Sequence, residues 1–109
     1  MTIDATEQAR LVRDGEASPP ELVDDAIASI ERLNPELNAV IHPLFEQARE
    51  TAAGPLPDGP FRGVPFLVKD LSCYMKGVPI HEGMRALKDA GYVADHDMWI
   101  TQRLRQAGS

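Results

Sequence analysis

Lys69 is the first residue to weigh. It closes the apolar run Val64-Pro65-Phe66-Leu67-Val68 and is followed by Asp70. An ammonium group is rarely buried without a partner. Its stem can snorkel and its head reach solvent or pair with Asp70, which is how most lysines at strand ends are used. It can instead be held neutral in a partly apolar site and act as a base, or form a Schiff base with a carbonyl substrate. The other reactive types are Cys73, His81, Asp95, His96 and Asp97. Their spacing matches no metal motif, such as paired cysteines or His-Glu-x-x-His, so no metal site is expected. Cys73 has no histidine close in sequence to activate it, and His42, beside Pro43, reads as structural or exposed. There is no glycine-rich phosphate loop, and no cofactor is expected. Gly-Val-Pro occurs twice, at residues 63–65 and 77–79. Glycine permits a left-handed backbone and proline fixes the next turn. The pair forms either two ordinary turns or loops shaped around Lys69.

The elements that must carry these residues follow from spacing. Asp4-Ala5-Thr6-Glu7 has the form of a capping box, with Ala5, Ala9 and Val12 on one face and Gly15 as the stop. Ser18, Pro19 and Glu21 make a stronger helix start. Leu22, Val23, Ala26, Ile27, Ile30 and Leu33 then form one apolar stripe. Asn34-Pro35 is expected to end that helix, because a residue before proline disfavours the α region. Residues 38–42 read as extended, and Pro43 opens a third helix through Leu44, Phe45, Ala48 and Ala52. Residues 54–63, with prolines at 55, 57 and 60, are a loop by composition. Val64 to Val68 or Lys69 is expected to be a strand buried on both faces, because its apolar run is continuous. Pro65 suits its first residues or an edge. Met84–Asp89 can form a helical turn. The last helix has Asp95 or Asp97 as cap and Trp99, Ile100, Leu104 and Ala107 as apolar positions.

This organisation reads as α/β, with residues 1–53 helical, 54–63 a loop and 64–109 a first core strand, a loop and a helix. One strand cannot make a sheet, so the 109 residues are expected to be the incomplete start of a larger domain. Residues 1–53 hold eleven acids and four bases, which argues against nucleic-acid binding through a basic patch. No apolar run approaches the ~18 residues that span a membrane. The start has no secretory pattern, and the single cysteine cannot form an internal disulfide, so a cytoplasmic setting is expected. A homodimer stays open.

The stretch Gly59-Pro60-Phe61-Arg62-Gly63-Val64-Pro65-Phe66-Leu67-Val68-Lys69-Asp70 resembles the amidase signature family. Similarity continues through Gly77-Val78-Pro79, Gly83, Ala86-Leu87, Asp95, Asp97 and residues 103–108. Upstream it takes in Ser18–Leu22 and Leu33–Ala39. The resemblance implies a mixed sheet covered by helices and the hydrolysis or transfer of small-molecule carboxamides. It also implies a Ser-Ser-Lys triad in which Lys69 is the base. Neutral Lys69 would take a proton from a bridging serine, which takes one from the nucleophilic serine. The family's two serines lie in a Gly/Ser-rich segment beyond the equivalent of Gly108. Ser18, Ser29, Ser72 and Ser109 fall outside the motif positions. The chain alone is therefore expected to be inactive. The alternatives are a non-catalytic truncated remnant or a helical interaction module. His81-Glu82-Gly83-Met84 departs from the small hydroxyl residues that many members carry there, which leaves substrate preference open. The resemblance does not separate a hydrolase from the amidotransferase subunit that shares the fold.

Overall fold

The computed structural model describes residues 3–109. They form five helices in two compact units. One unit runs from the N-terminus to Pro65 and includes Gln106–Ser109; the other is Phe66–Arg105.

In the first unit, α1 (Ala5–Arg13) starts where the sequence signals it. Asp4 is the N-cap and its carboxylate accepts the Glu7 N–H at 2.8 Å. Only Ala9 of the expected apolar face is fully buried. Arg10 fans out to Glu7, Asp14 and Glu16 at 2.7–3.0 Å. These pairs are solvent-exposed and stabilise little individually.

The second helix, α2 (Pro19–Leu37), opens on a complete capping box. The Ser18 hydroxyl accepts the Glu21 N–H, while the Ser18 N–H donates to Glu21 Oε2 at 2.7 Å. Its stripe buries Leu22, Val23 and Ile27. The helix does not stop at Asn34-Pro35 but runs through Pro35 to Leu37. A proline in the last turn removes one intrahelical hydrogen bond, and the Asn34 amide anchors the exit instead. Its Nδ2 donates to the Val40 carbonyl at 3.0 Å, and its Oδ1 accepts the Val40 N–H at 2.9 Å. Asn38 then leaves in the left-handed conformation, φ 48°, which asparagine tolerates better than most residues.

The third helix, α3 (Phe45–Ala53), packs back on α2. Val23, Ile27 and Ala52 form a small core that Phe45 and Ala48 cover. Arg49 reaches Asp24 across this pair at 3.0 Å.

Residues 59–63 and 107–108 of the same unit are clasped backbone to backbone. Phe61 N–H donates to the Ala107 carbonyl at 2.8 Å, and Gly63 N–H to the Gly108 carbonyl at 2.9 Å. The approach is so close that a Cβ on Gly59 would lie 2.4 Å from the Ala107 carbonyl. One on Gly63 would lie 2.7 Å from the Pro19 ring, and Gly63 has φ +82° besides.

The strand expected at Val64–Lys69 does not form among the described residues. That segment has no regular structure and no ladder; its Val64 N–H donates to the Phe61 carbonyl at 3.0 Å, and the described residues contain no strand at all, only an isolated antiparallel bridge between Pro79 and Val93. Nor is the segment buried on both faces: Val64 is buried, but Phe66 and Leu67 are 58% and 64% exposed. An apolar run becomes a strand only where a neighbouring strand supplies hydrogen-bond partners, and no described residue does so here. The rest of the second unit is a loop frame with α4 (Arg85–Asp89) and α5 (Trp99–Gln106). The buried position of α5 is Thr101; the expected apolar positions Trp99 and Ile100 are exposed. The Thr101 hydroxyl donates to the Tyr74 carbonyl at 2.7 Å, so its burial is satisfied.

Two consequences can be measured. Gly59→Ala should destabilise the chain by about 1–3 kcal/mol through overpacking against backbone. Gly54→Ala, whose Cβ would meet only ordinary contacts at 3.6–3.7 Å, is the control. Equal thermal midpoints for the two would refute the clasp. Ser18→Ala should cost about 1 kcal/mol at neutral pH. The Ser18 N–H and hydroxyl hold the Glu21 carboxyl below its usual 4.5. A lowered folded value means its contribution is present above the unfolded value and lost as pH falls through the folded one. Urea unfolding at pH 7 and pH 3 should show this acid-linked loss shrinking in Glu21→Gln.

Candidate active site

Lys69 stands at the end of the unladdered segment and is solvent-exposed. Among the described residues it forms no ion pair, so the sequence option of a Lys69–Asp70 pair is not taken. Asp70 turns the other way. Its Oδ1 accepts the His81 N–H at 3.0 Å, closing a loop of eleven residues onto the position next to Lys69.

That loop is fastened to residues 93–101 at several points. The Tyr74 carbonyl accepts the Met98 N–H at 3.0 Å as well as the Thr101 hydroxyl. Lys76 N–H donates to Asp97 Oδ1 at 2.8 Å, Gly77 N–H to the Ala94 carbonyl at 2.9 Å, and Ala94 N–H to the Val78 carbonyl at 3.1 Å. Ile80 and Ala94 are buried beneath these bonds. Gly77 takes φ +82°, as does Gly63, so both glycines of the repeated Gly-Val-Pro supply the left-handed turn that glycine adopts freely. Ser72 and Glu82 also sit at positive φ, 60° and 51°, without being glycine. Such residues persist only where the surroundings hold them.

The remaining residues singled out by type fall as follows. Asp97 serves the Lys76 amide and lies 3.6 Å from Arg105. Asp95 pairs with its neighbour His96, Oδ1 to Nδ1 at 2.6 Å, and the imidazole holds that carboxyl below its ordinary range. His96 also leans on the Tyr74 ring, 5.6 Å between centroids, and Tyr92 meets Tyr74 edge-on at 6.5 Å. Cys73 is half-buried. The structure thus groups Asp70 with His81, and Tyr74 with Glu82, Tyr92 and His96. Tyr74 carries no sequence signal, and Glu82 one only as part of the His81-Glu82-Gly83-Met84 departure. Elsewhere, an open groove beside the end of α2 is lined by Ile30, Asn34, Pro35, Val40 and Phe45, with Glu31 as its one ionisable side chain. It offers no acid–base pair.

The amidase family model matches residues 21–109. The 6-aminohexanoate-cyclic-dimer hydrolase of Pseudomonas sp. (strain NK87) is 50% identical over 105 residues, 96% of this chain and 21% of the relative. A solved structure of 6-aminohexanoate cyclic dimer hydrolase complexed with substrate superposes with a TM-score of 0.90. It is 49% identical over 97% of this chain and 22% of the other. A bacterial aryl acylamidase of the amidase signature enzymes superposes at 0.74, with 37% identity over 87% of this chain and 21% of the other. The chain therefore spans about a fifth of the length of the relatives it matches.

The Tyr74 contacts give this region a spectroscopic readout. Burial, the Glu82 hydrogen bond and the Glu82 charge all push the Tyr74 phenol above its ordinary 10.0. The chain has two tyrosines. Ultraviolet titration should show Tyr74, identified by Tyr92→Phe, ionising above 10, and Glu82→Gln should bring it down toward 10. An unchanged curve in Glu82→Gln would remove Glu82 from the loop's anchoring.

Proposed function

We infer, from the premise that this chain belongs to the amidase signature family, that Lys69 is the general base of an amidase acting on small-molecule carboxamides. The observation that carries the reading is Gly63-Val64-Pro65-Phe66-Leu67-Val68-Lys69-Asp70, which lies inside the matched residues. The similarity to a hydrolase of a 6-aminohexanoate cyclic dimer and to an aryl acylamidase supports carboxamides as the substrate class.

In the proposed reaction neutral Lys69 accepts a proton from a bridging serine, which takes the proton of the nucleophilic serine. That serine's oxygen bonds to the amide carbonyl carbon, and oxyanion-hole donors hold the negative oxygen. The C–N bond then breaks, and protonated Lys69 returns its proton, through the bridging serine, to the leaving amine. Water attacks the resulting ester and frees the nucleophilic serine. We place both serines and the oxyanion donors in the remainder of a longer, cytoplasmic protein, in which residues 1–109 open a single catalytic domain. In that protein Val64–Lys69 gains strand partners, which would cover Phe66 and Leu67. The relatives' greater length supports this placement.

The full-length protein should hydrolyse a simple aryl amide, and Lys69→Ala should lower kcat by about 10²–10⁴-fold, the usual worth of a general base. The 109-residue chain should show neither turnover nor labelling by a serine-directed phosphonate. Labelling above its Lys69→Ala control would overturn the placement of the serines outside this chain.

A further inference from the structure

The base needs a fixed address on both sides. Strand partners in the longer protein would hold the run before Lys69, whereas the position after it is held within this chain. Asp70 accepts the His81 N–H at 3.0 Å, and His81 follows Ile80, which is buried, and the bridged Pro79. Residues 74–78 before them are bonded to the 94–101 stretch. The carboxylate therefore ties the position next to Lys69 to the hydrogen-bonded part of the second unit. Both ends of the link are also set by strained residues, Ser72 two positions after Asp70 and Glu82 directly after His81, each at positive φ. Two non-glycine residues in that region, flanking one hydrogen bond, mean that the surroundings specify this loop closure.

We propose that Asp70 is a positioning residue for Lys69: by binding the His81 amide it fixes the backbone through which the lysine enters the active site. It exchanges no proton in the reaction. What it supplies is the acceptor, and an asparagine Oδ1 can accept the same N–H. The proposal rests on Lys69 being the base.

The test uses the full-length protein with Asp70→Ala, Asp70→Asn and Lys69→Ala, assayed on an aryl amide. Misplacing a catalytic group by about 1 Å costs on the order of 10²-fold. Asp70→Ala should therefore lower kcat about 10- to 100-fold while KM stays within about twofold, and Asp70→Asn should recover most of kcat. Hydrogen exchange should show the His81 amide unprotected in Asp70→Ala and protected in Asp70→Asn. Asp70→Ala with normal kcat, Asp70→Asn as impaired as Asp70→Ala, or a His81 amide that stays protected in Asp70→Ala would each overturn the positioning role. In those three cases a dead Lys69→Ala leaves the base assignment standing. An active Lys69→Ala overturns both.

Discussion

A backbone amide or carbonyl must be hydrogen-bonded or reach water, and burying one without a partner costs as much as a lost hydrogen bond. In Val64–Lys69 the buried Val64 donates its N–H to the Phe61 carbonyl at 3.0 Å, and residues 66–69 stay exposed. The segment makes no ladder with any described residue, and Phe66, Leu67 and Leu71 stay exposed around it. At its start Gly63 is locked by the Gly108 carbonyl and pressed against Pro19. At its end Asp70 is locked by the His81 amide. The residues between carry the apolar run and the lysine.

The two anchors differ in kind. The Gly59–Gly63 clasp relies on absent side chains: two backbones meet where a Cβ would collide. The loop beyond Lys69 relies on polar side chains that replace backbone partners. Asp70, Asp97 and Thr101 each bond to a main-chain group across the loop. In a unit with one isolated bridge and two short helices, such side-chain bonds do the work that a sheet ladder does elsewhere. Asp97 illustrates the trade. Its sequence position suggests a helix cap, and its carboxylate goes to the Lys76 amide twenty-one residues away.

Local signals were legible wherever the partner is close in sequence. The Ser18–Glu21 box, the Asp4 cap, the α2 stripe and the turn at Met84–Asp89 all depend on contacts within one or two turns. Pro35 misled because its effect depends on what else satisfies the turn, and the Asn34 bonds to Val40 were not visible in a propensity. The α5 apolar positions misled for a related reason. Burial depends on what lies against each face, and here a threonine with a carbonyl partner took the inside while Trp99 stacks under Arg103 at 4.9 Å.

For the candidate site, the sequence by itself determined the residue types and their order. It supplied Lys69 after an apolar run, Asp70 beside it, and two Gly-Val-Pro repeats. That much is covalent, and it is enough to carry the family. Only the tertiary structure decided that the run has no ladder, that Asp70 turns from Lys69 to His81, and that Asp97 takes the Lys76 amide. Each of these is a hydrogen-bond choice between groups distant in sequence. Such choices depend on which donors and acceptors the folded chain brings within reach, and no local pattern encodes that.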